Sequence, residues 1–256
     1  MVPFKLEVIA VPGFPLVQAG DDLVAALDHA LYASEMELLD GDVVVFAQKV
    51  ISKSEGRSID LTTVTPSQRA HQIAGRVGKD PRLVELILRE SKRIVREAPD
   101  VLIVEHQLGL IMANAGIDQS NVADPTGSER ALLLPEDPDA SAERIRVQLA
   151  GRYGRRIAVI INDSFGRPWR LGTVGVALGC AGLPALLDMR GKPDLFGRIL
   201  RATVIAYADE IAATASLVMG QASEGRPVIL VRGLTACGPT SPAASILRPP
   251  RDDLFH

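Results

Sequence analysis

The stretch Val43-Val44-Val45-Phe46-Ala47 carries no polar residue and three β-branched ones in succession, so it has no wet face to offer. A strand of that pattern is buried on both sides and needs other elements packed over it. Asp40-Gly41-Asp42 turns the chain into the run, and Gln48-Lys49 ends it. Arg156 to Ile161 and Val228 to Val231 read as further strands. Val101 to Glu105 and Leu110 to Ala113 read as the arms of a hairpin turning at Gln107 to Gly109.

Helical signals fall between these runs. Asp21-Asp22 precedes Leu23, Val24, Leu27 and Leu31, which predicts a capped helix to about Leu38. Thr65-Pro66 and Asp80-Pro81 each place a capping side chain before a proline, which predicts two short helices parted by Gly78. Asp137-Pro138-Asp139 leads into a helix over Ala140 to Leu149, and Leu200 to Met219 is helical in composition. Gly172 to Gly182 is rich in small residues, which admit a close backbone or ligand and weaken a helix. Strands and helices mix without βαβ alternation, so the expected class is α+β or irregular mixed α/β rather than a doubly wound sheet. One domain is expected over residues 1–248, with a Pro, Ser and Arg-bearing tail at 249–256.

With 256 residues, 47% of them hydrophobic, such a chain can bury a sizeable core. The net charge of −3, with both signs interspersed, lacks the basic stripe that nucleic acid requires. No span of eighteen apolar residues and no secretory leader is visible, so neither membrane nor export is expected. Cys180 and Cys237 lie far apart with no partner at metal spacing, which fits a reducing cytoplasm. His29, His71, His106 and His256 form no i, i+4 pair that would hold zinc on one helix. The phosphate signatures of the P-loop and of dinucleotide folds are absent, as is the G-x-S-x-G elbow.

Three constellations carry chemistry. In Asn114 to Asn121 one carboxylate, Asp118, stands among amides and a hydroxyl after an apolar strand. These donors suit a hard cation and phosphate, and equally an ordinary turn. Ile160 to Arg170 sets Asp163 and Ser164 at the end of a buried strand, followed by Arg167 and Arg170. A metal and a transferring phosphate would be served there, as would a surface loop with Trp169 packed inward. Gln48-Lys49 and Ile51 to Arg57 place cations after a strand, where they could clamp phosphates or simply stay solvated. The loop Met219 to Gly225 reads as polar, or as a helix C-cap.

Taken together, six ordered segments resemble the coenzyme F420-0:L-glutamate ligase family, both its standalone archaeal form and the ligase domain of longer actinobacterial enzymes. They are Val11 to Leu16 with Gly20 to Leu23, Val50 to Arg57, Ala113 to Val122, Leu132 to Pro135 with Asp137 to Asp139, Asp163 to Arg170, and Ala208 to Ala212. The resemblance implies the family's own mixed fold, an intertwined homodimer, and three substrates: coenzyme F420-0, L-glutamate and GTP. It implies activation of the F420-0 carboxylate as an acyl phosphate, attack by glutamate, and a second, γ-linked addition. Carried across, nucleotide contacts fall on Phe14, Pro15, Leu16, Val17, Gln48, Lys49, Lys53, Asn121, and the run Met219, Gly220, Gln221, Ala222, Ser223, Glu224, Gly225 and Arg226. Ligands for Mg²⁺ or Mn²⁺ fall on Asp118 and Asp163, with Ser164 and Gln221 serving a second ion, and potassium is a further ion the resemblance allows. Lys53, Asp118, Asp163 and Arg167 are the expected catalytic residues. Archaeal members can carry small hydroxyl residues at the places of Gln48 and Lys49, and an acid at that of Gln221. The resemblance does not extend to the nitroreductase-like flavin domain of the fused enzymes, so ligase activity alone is expected. Two other readings use the same residues: a metal-dependent phosphohydrolase and a non-enzymatic nucleotide-binding regulatory subunit.

Overall fold

In the computed structural model, which describes residues 4–122, 127–235 and 238–253, Val43–Ala47 is the central strand of a five-stranded sheet. In chain order the elements are β1 (Glu7–Ala10), α1 (Leu23–Ala33), β2 (Val43–Ala47), α2 (Gln48–Ser54), β3 (Ser58–Asp60), α3 (Gln68–Val77), α4 (Pro81–Arg89), β4 (Ser91–Ala98), β5 (Val101–His106), β6 (Ile111–Ala113), β7 (Arg130–Leu132), α5 (Pro138–Tyr153), β8 (Ala158–Arg167), β9 (Arg170–Ala181), β10 (Leu187–Asp188), β11 (Val204–Ile205), α6 (Tyr207–Met219) and β12 (Val228–Arg232). The main sheet runs β1-β12-β2-β8-β9, with β2 and β8 parallel and the other neighbours antiparallel. The mixed α/β class is as expected.

The pleat sorts the apolar runs onto two faces. Val44, Phe46, Val159, Ile161, Val228 and Leu230 pack with α1, α2 and α5, while Val43, Val45, Ile160, Ile229 and Val231 pack with α6. Phe46, Ile160 and Ile161 are wholly buried, each contributing roughly 1.5–3 kcal/mol from lost apolar surface. A second apolar cluster joins α3 and α4 to the smaller sheet β4-β5-β6, where β5 and β6 form the expected hairpin.

Several boundaries differ from expectation for local reasons. The first helix begins where predicted, with Asp22 Oδ1 accepting from the amides of Val24 and Ala25, but it stops at Ala33 rather than Leu38. There Ser34 Oγ donates to the Ala30 carbonyl at 2.6 Å, and Glu35 takes φ 53°. The helix expected after Thr65-Pro66 starts later, capped by Ser67; Asp80 caps α4 as expected, and Gly78 ends α3 in a left-handed conformation. β4 went unforeseen: its charged residues stand in adjacent pairs, Lys92-Arg93 and Arg96-Glu97, around Ile94-Val95 and leave neither an alternation nor an apolar run to read. The predicted helix from Leu200 begins only at Tyr207, because Val204–Ile205 pairs with Leu187–Asp188. The small-residue segment Gly172 to Gly182 lies in β9 up to Ala181, with Gly182 just past the strand end, and β8 continues through the acid and hydroxyl instead of ending before them. After β12 the tail makes short 3-10 turns at Ala243–Ile246 and Pro250–Asp252. Cys237 and His256 lie outside the described residues. No helix among the described residues is long and apolar enough to cross a membrane.

Candidate active site

β2 hands the chain directly to α2, which therefore presents Lys49 and Lys53, four residues apart, on one face. Both reach the loop after β6. Lys49 Nζ stands 2.6 Å from Asp118 Oδ2, donates to Ser120 Oγ at 2.7 Å and to the Ser120 carbonyl at 3.3 Å. Lys53 Nζ donates to the Asn121 carbonyl at 2.7 Å. Asp118 also accepts from the Ser120 amide at 2.7 Å and its hydroxyl at 2.9 Å, a local turn typical of Asp followed by Ser. Asn121, held at φ 56°, donates through Nδ2 to the Ala222 carbonyl at 3.3 Å.

The second carboxylate comes from β8. Asp163 accepts from the Ser164 amide at 2.8 Å, and Ser164 Oγ donates to Gln221 Oε1 at 2.7 Å. Four segments remote in sequence thus close a ring: α2, the 118–121 loop, the loop after α6, and β8. The last turn of α6 is held to β8 by Asn162, whose Nδ2 donates to Ser216 Oγ at 2.9 Å and to Met219 Sδ at 3.5 Å. Gly175 makes this closeness possible, since a Cβ there would stand 2.1 Å from Ser216 Oγ and 2.7 Å from the Ala212 carbonyl. Gly220, at φ 78°, plays the same part for the next loop, where a Cβ would meet the Glu224 carboxyl carbon at 2.3 Å.

The two aspartates are electrostatically unlike. Burial alone would raise Asp118, but Lys49 and Ser120 outweigh it and hold the carboxyl below its ordinary range. Asp163 is pushed up to about 6, chiefly by burial; the Ser164 amide and Lys49 oppose the shift and the charge of Asp118 adds to it. The influence of Lys49 and Asp118 on Asp163 sets the three groups in one electrostatic neighbourhood. Lys53 is held below the usual lysine range by burial and by Lys49. The donors Asp118, Asp163, Ser164 and Gln221 are all oxygen, the set that hard divalent cations take, and the Lys49 ammonium against Asp118 shows which sign of charge it attracts. No group of three or more His, Cys, Asp or Glu gathers among the described residues. Were a magnesium-type ion bound by two such carboxylates, water or phosphate would have to complete its coordination.

Other expected site residues fall variously. Phe14 meets Phe46 edge-on, with centroids 6.4 Å apart, and Val17 is buried, which leaves Pro15 and the 93% exposed Leu16 open to a ligand. Gln48 turns inward and donates to Ser52 Oγ at 2.6 Å. Met219 is buried, while Gln221, Ala222, Ser223, Glu224, Gly225 and Arg226 are exposed, with Glu224 accepting from the Ala222 amide at 2.8 Å. Arg167 lies four residues beyond Asp163 on β8, roughly 13 Å along the strand, and donates to the Gly172 carbonyl at 3.2 Å. It does not join the aspartates within this chain. Trp169, considered as a packing residue, is 88% exposed at the tip of the β8–β9 hairpin. Arg57 turns away to the Leu134 carbonyl, Glu90 and Glu136. Sequence reasoning counted the Ser120 hydroxyl among the donors beside Asp118 but gave no role to Asn162, for which a polar residue at the end of an apolar run was the available signal.

A surface concavity of about 420 Å³ at the far end of α2 is lined by Glu55, Arg57, Glu136, Ser141 and Arg144 among others, and shares no residue with this ring. Its two arginines face three carboxylates, Glu55, Glu136 and Asp137, and are engaged in the Glu55–Arg144 and Arg57–Glu136 pairs, so the lining is not positively charged as a triphosphate site would be.

The family model described as F420-0:Gamma-glutamyl ligase matches residues 13–233, a span that includes every segment of the ring. The protein named coenzyme F420:L-glutamate ligase in Methanothermobacter thermautotrophicus is 48% identical over 256 residues, covering 98% of this chain and 99% of its own length. Proteins of the same name are 46% identical in Methanopyrus kandleri, with 98% of each chain covered, and 43% identical in Archaeoglobus fulgidus, with 98% of this chain and 97% of that one covered.

Proposed function

Because the chain belongs to the F420-0:gamma-glutamyl ligase family, and is a ligase of coenzyme F420 biosynthesis, we propose that it uses GTP and a divalent cation to join L-glutamate to coenzyme F420-0. The carboxylate of F420-0 takes the γ-phosphoryl group and GDP leaves; the glutamate amine then attacks the acyl phosphate, the amide forms and phosphate departs. A further round on the γ-carboxylate extends the tail.

The single observation that carries this reading is the convergence of Asp118, Asp163, Lys49 and Lys53 from three separate segments. Asp118 and Asp163 would hold Mg²⁺ or Mn²⁺, with Ser164 and Gln221 beside a second ion. The ion when bound supplies positive charge against the polyphosphate. Lys49 and Lys53 offset charge as one anion attacks another, and the 219–226 loop with Pro15 and Leu16 flanks the nucleotide. A homodimer accounts for the exposure of Trp169, Leu171, Leu195 and Phe196, each at least 88% accessible in the single chain. A cytoplasmic setting suits Cys180, a buried thiol pushed up to about 12 by burial and so kept unreactive.

Mass spectrometry of F420-0 incubated with the protein, glutamate, GTP and Mg²⁺ tests the reaction. A mass gain of whole glutamyl units is expected. GTP hydrolysis indifferent to both acceptors would instead indicate a phosphohydrolase, and nucleotide binding without turnover a regulatory subunit. For Lys53→Met, calorimetry is expected to show GTP binding weakened by roughly tenfold or more, the usual cost of a charge-assisted phosphate contact. An unchanged dissociation constant would return Lys53 to a role in fastening the loop at Asn121.

A further inference from the structure

We propose that Lys49 is an exchangeable occupant of the metal locus: its ammonium holds the place of the cation in the free protein and moves to nucleotide phosphate when metal and nucleotide bind. The inference rests on the metal reading above and deepens it. Lys49 Nζ has three acceptors, Asp118 Oδ2 at 2.6 Å, Ser120 Oγ at 2.7 Å and the Ser120 carbonyl at 3.3 Å, so one donor is spent on the carboxylate a metal would need and the others fasten the ammonium to Ser120 beside it. A divalent ion would sit about 2.1 Å from a carboxylate oxygen, inside the space that the ammonium now fills. Two cations cannot share that face of Asp118, because an ion bonded to Oδ2 there would overlap an ammonium 2.6 Å from the same oxygen. Binding of the ion therefore expels Lys49.

The expelled ammonium must find another anion or return to water. Without nucleotide, the ion has to offset two broken hydrogen bonds and a lost ion pair. With nucleotide, the long lysine side chain swings to a phosphate oxygen and recovers them. Metal and nucleotide then assist one another by the same factor in both directions. The free enzyme keeps its carboxylates neutralised until polyphosphate arrives. Lys53, one helical turn further on, carries the same charge but bonds a main-chain carbonyl, so it blocks no carboxylate. That difference separates occupation of the site from a general effect of positive charge.

The test is titration of Mn²⁺ into the full-length protein, followed by the paramagnetic resonance signal of free Mn²⁺, with and without GDP. Lys49→Ala is expected to bind Mn²⁺ roughly tenfold or more tightly than wild type in the absence of nucleotide, a change of about 1.4 kcal/mol. Lys53→Ala should alter it by less than about threefold, within the range of a screened charge. GDP should tighten Mn²⁺ binding more in the wild type than in Lys49→Ala, and Asp118→Asn should abolish saturable binding. Equal or weaker Mn²⁺ affinity in Lys49→Ala would overturn the exchange, and so would equal tightening in Lys53→Ala. No saturable Mn²⁺ binding in any form, even with GDP, would remove the metal reading and the exchange with it.

Discussion

Asp163→Asn is expected to lower glutamate addition by roughly a thousandfold while raising the thermal midpoint of the ligand-free protein. Loss of one preorganised charge at a phosphoryl-transfer site commonly costs about 10²–10³ in rate, and a metal ligand costs at least as much. The stability gain follows from the same group. Burial pushes the Asp163 carboxyl from 3.8 up to about 6, so the folded chain holds its proton more tightly than the unfolded one. Below about pH 4 both states are protonated and no penalty exists. Between about 4 and 6 the unfolded state ionises first and stability falls, and above 6 the full penalty, about 3 kcal/mol as an upper figure, is in force. A neutral amide of the same shape escapes it.

Asp118→Asn should cost turnover on the same scale and yet move stability the other way. Lys49 and Ser120 hold Asp118 below its ordinary range, so its contribution is present above the unfolded value and is lost as pH falls. That carboxyl is substantially exposed, and the stability loss is correspondingly small. Urea denaturation of both variants at pH 7.5 and pH 4.5 separates the two cases. The Asp163→Asn advantage should be present at the higher pH and shrink at the lower. Destabilisation by both substitutions at pH 7.5, or near-normal turnover in either at saturating Mg²⁺, would remove the paired-carboxylate site.

What the chain discloses about itself depends on whether a signal is local. The continuous apolar run at Val43–Ala47 and the caps at Asp22 and Asp80 are short-range physics, and all three appear where the residues indicate. β4 and the extension of β8 through Asp163 are set by cross-strand pairing with the strands that follow them, β5 and β9, and no periodicity within those segments announces it. The family-like acids divide in the same way. Asp137 caps α5, Asp139 accepts from the amides of Cys180, Ala243 and Ala244, and Asp209 accepts from the amide of Ala177, so these three brace the fold. Asp118 and Asp163 look no different in sequence. Only the fold brings them together, around a lysine that spacing alone could not distinguish from a solvated one.

Gly175→Ala is expected to destabilise the protein by about 3 kcal/mol and to weaken nucleotide binding, although residue 175 touches no proposed ligand. Gly175 pairs with Ser164 across the β8–β9 ladder, and its missing side chain is the space into which the last turn of α6 fits. A methyl group there would overlap Ser216 Oγ and the Ala212 carbonyl and would stand 2.8 Å from Asn162 Oδ1, an oxygen already buried without a hydrogen-bond partner. Backbone cannot yield as a flexible side chain can, so α6 must move out, and the Asn162–Ser216 hydrogen bond stretches with it. The helix carries Gly220 and Gln221 at its end, so the same shift draws Gln221 from Ser164. For a chain of this length the melting midpoint should fall by about 6–12 °C. The KM for GTP should rise more than kcat falls, because on the proposed reading the displaced loop flanks the nucleotide rather than the acyl centre. Gly175→Ala/Ser216→Ala removes one of the overlaps and should recover part of the midpoint, making the two substitutions non-additive. A single variant that melts and binds GTP like wild type would show that α6 is not held against β9 at this distance.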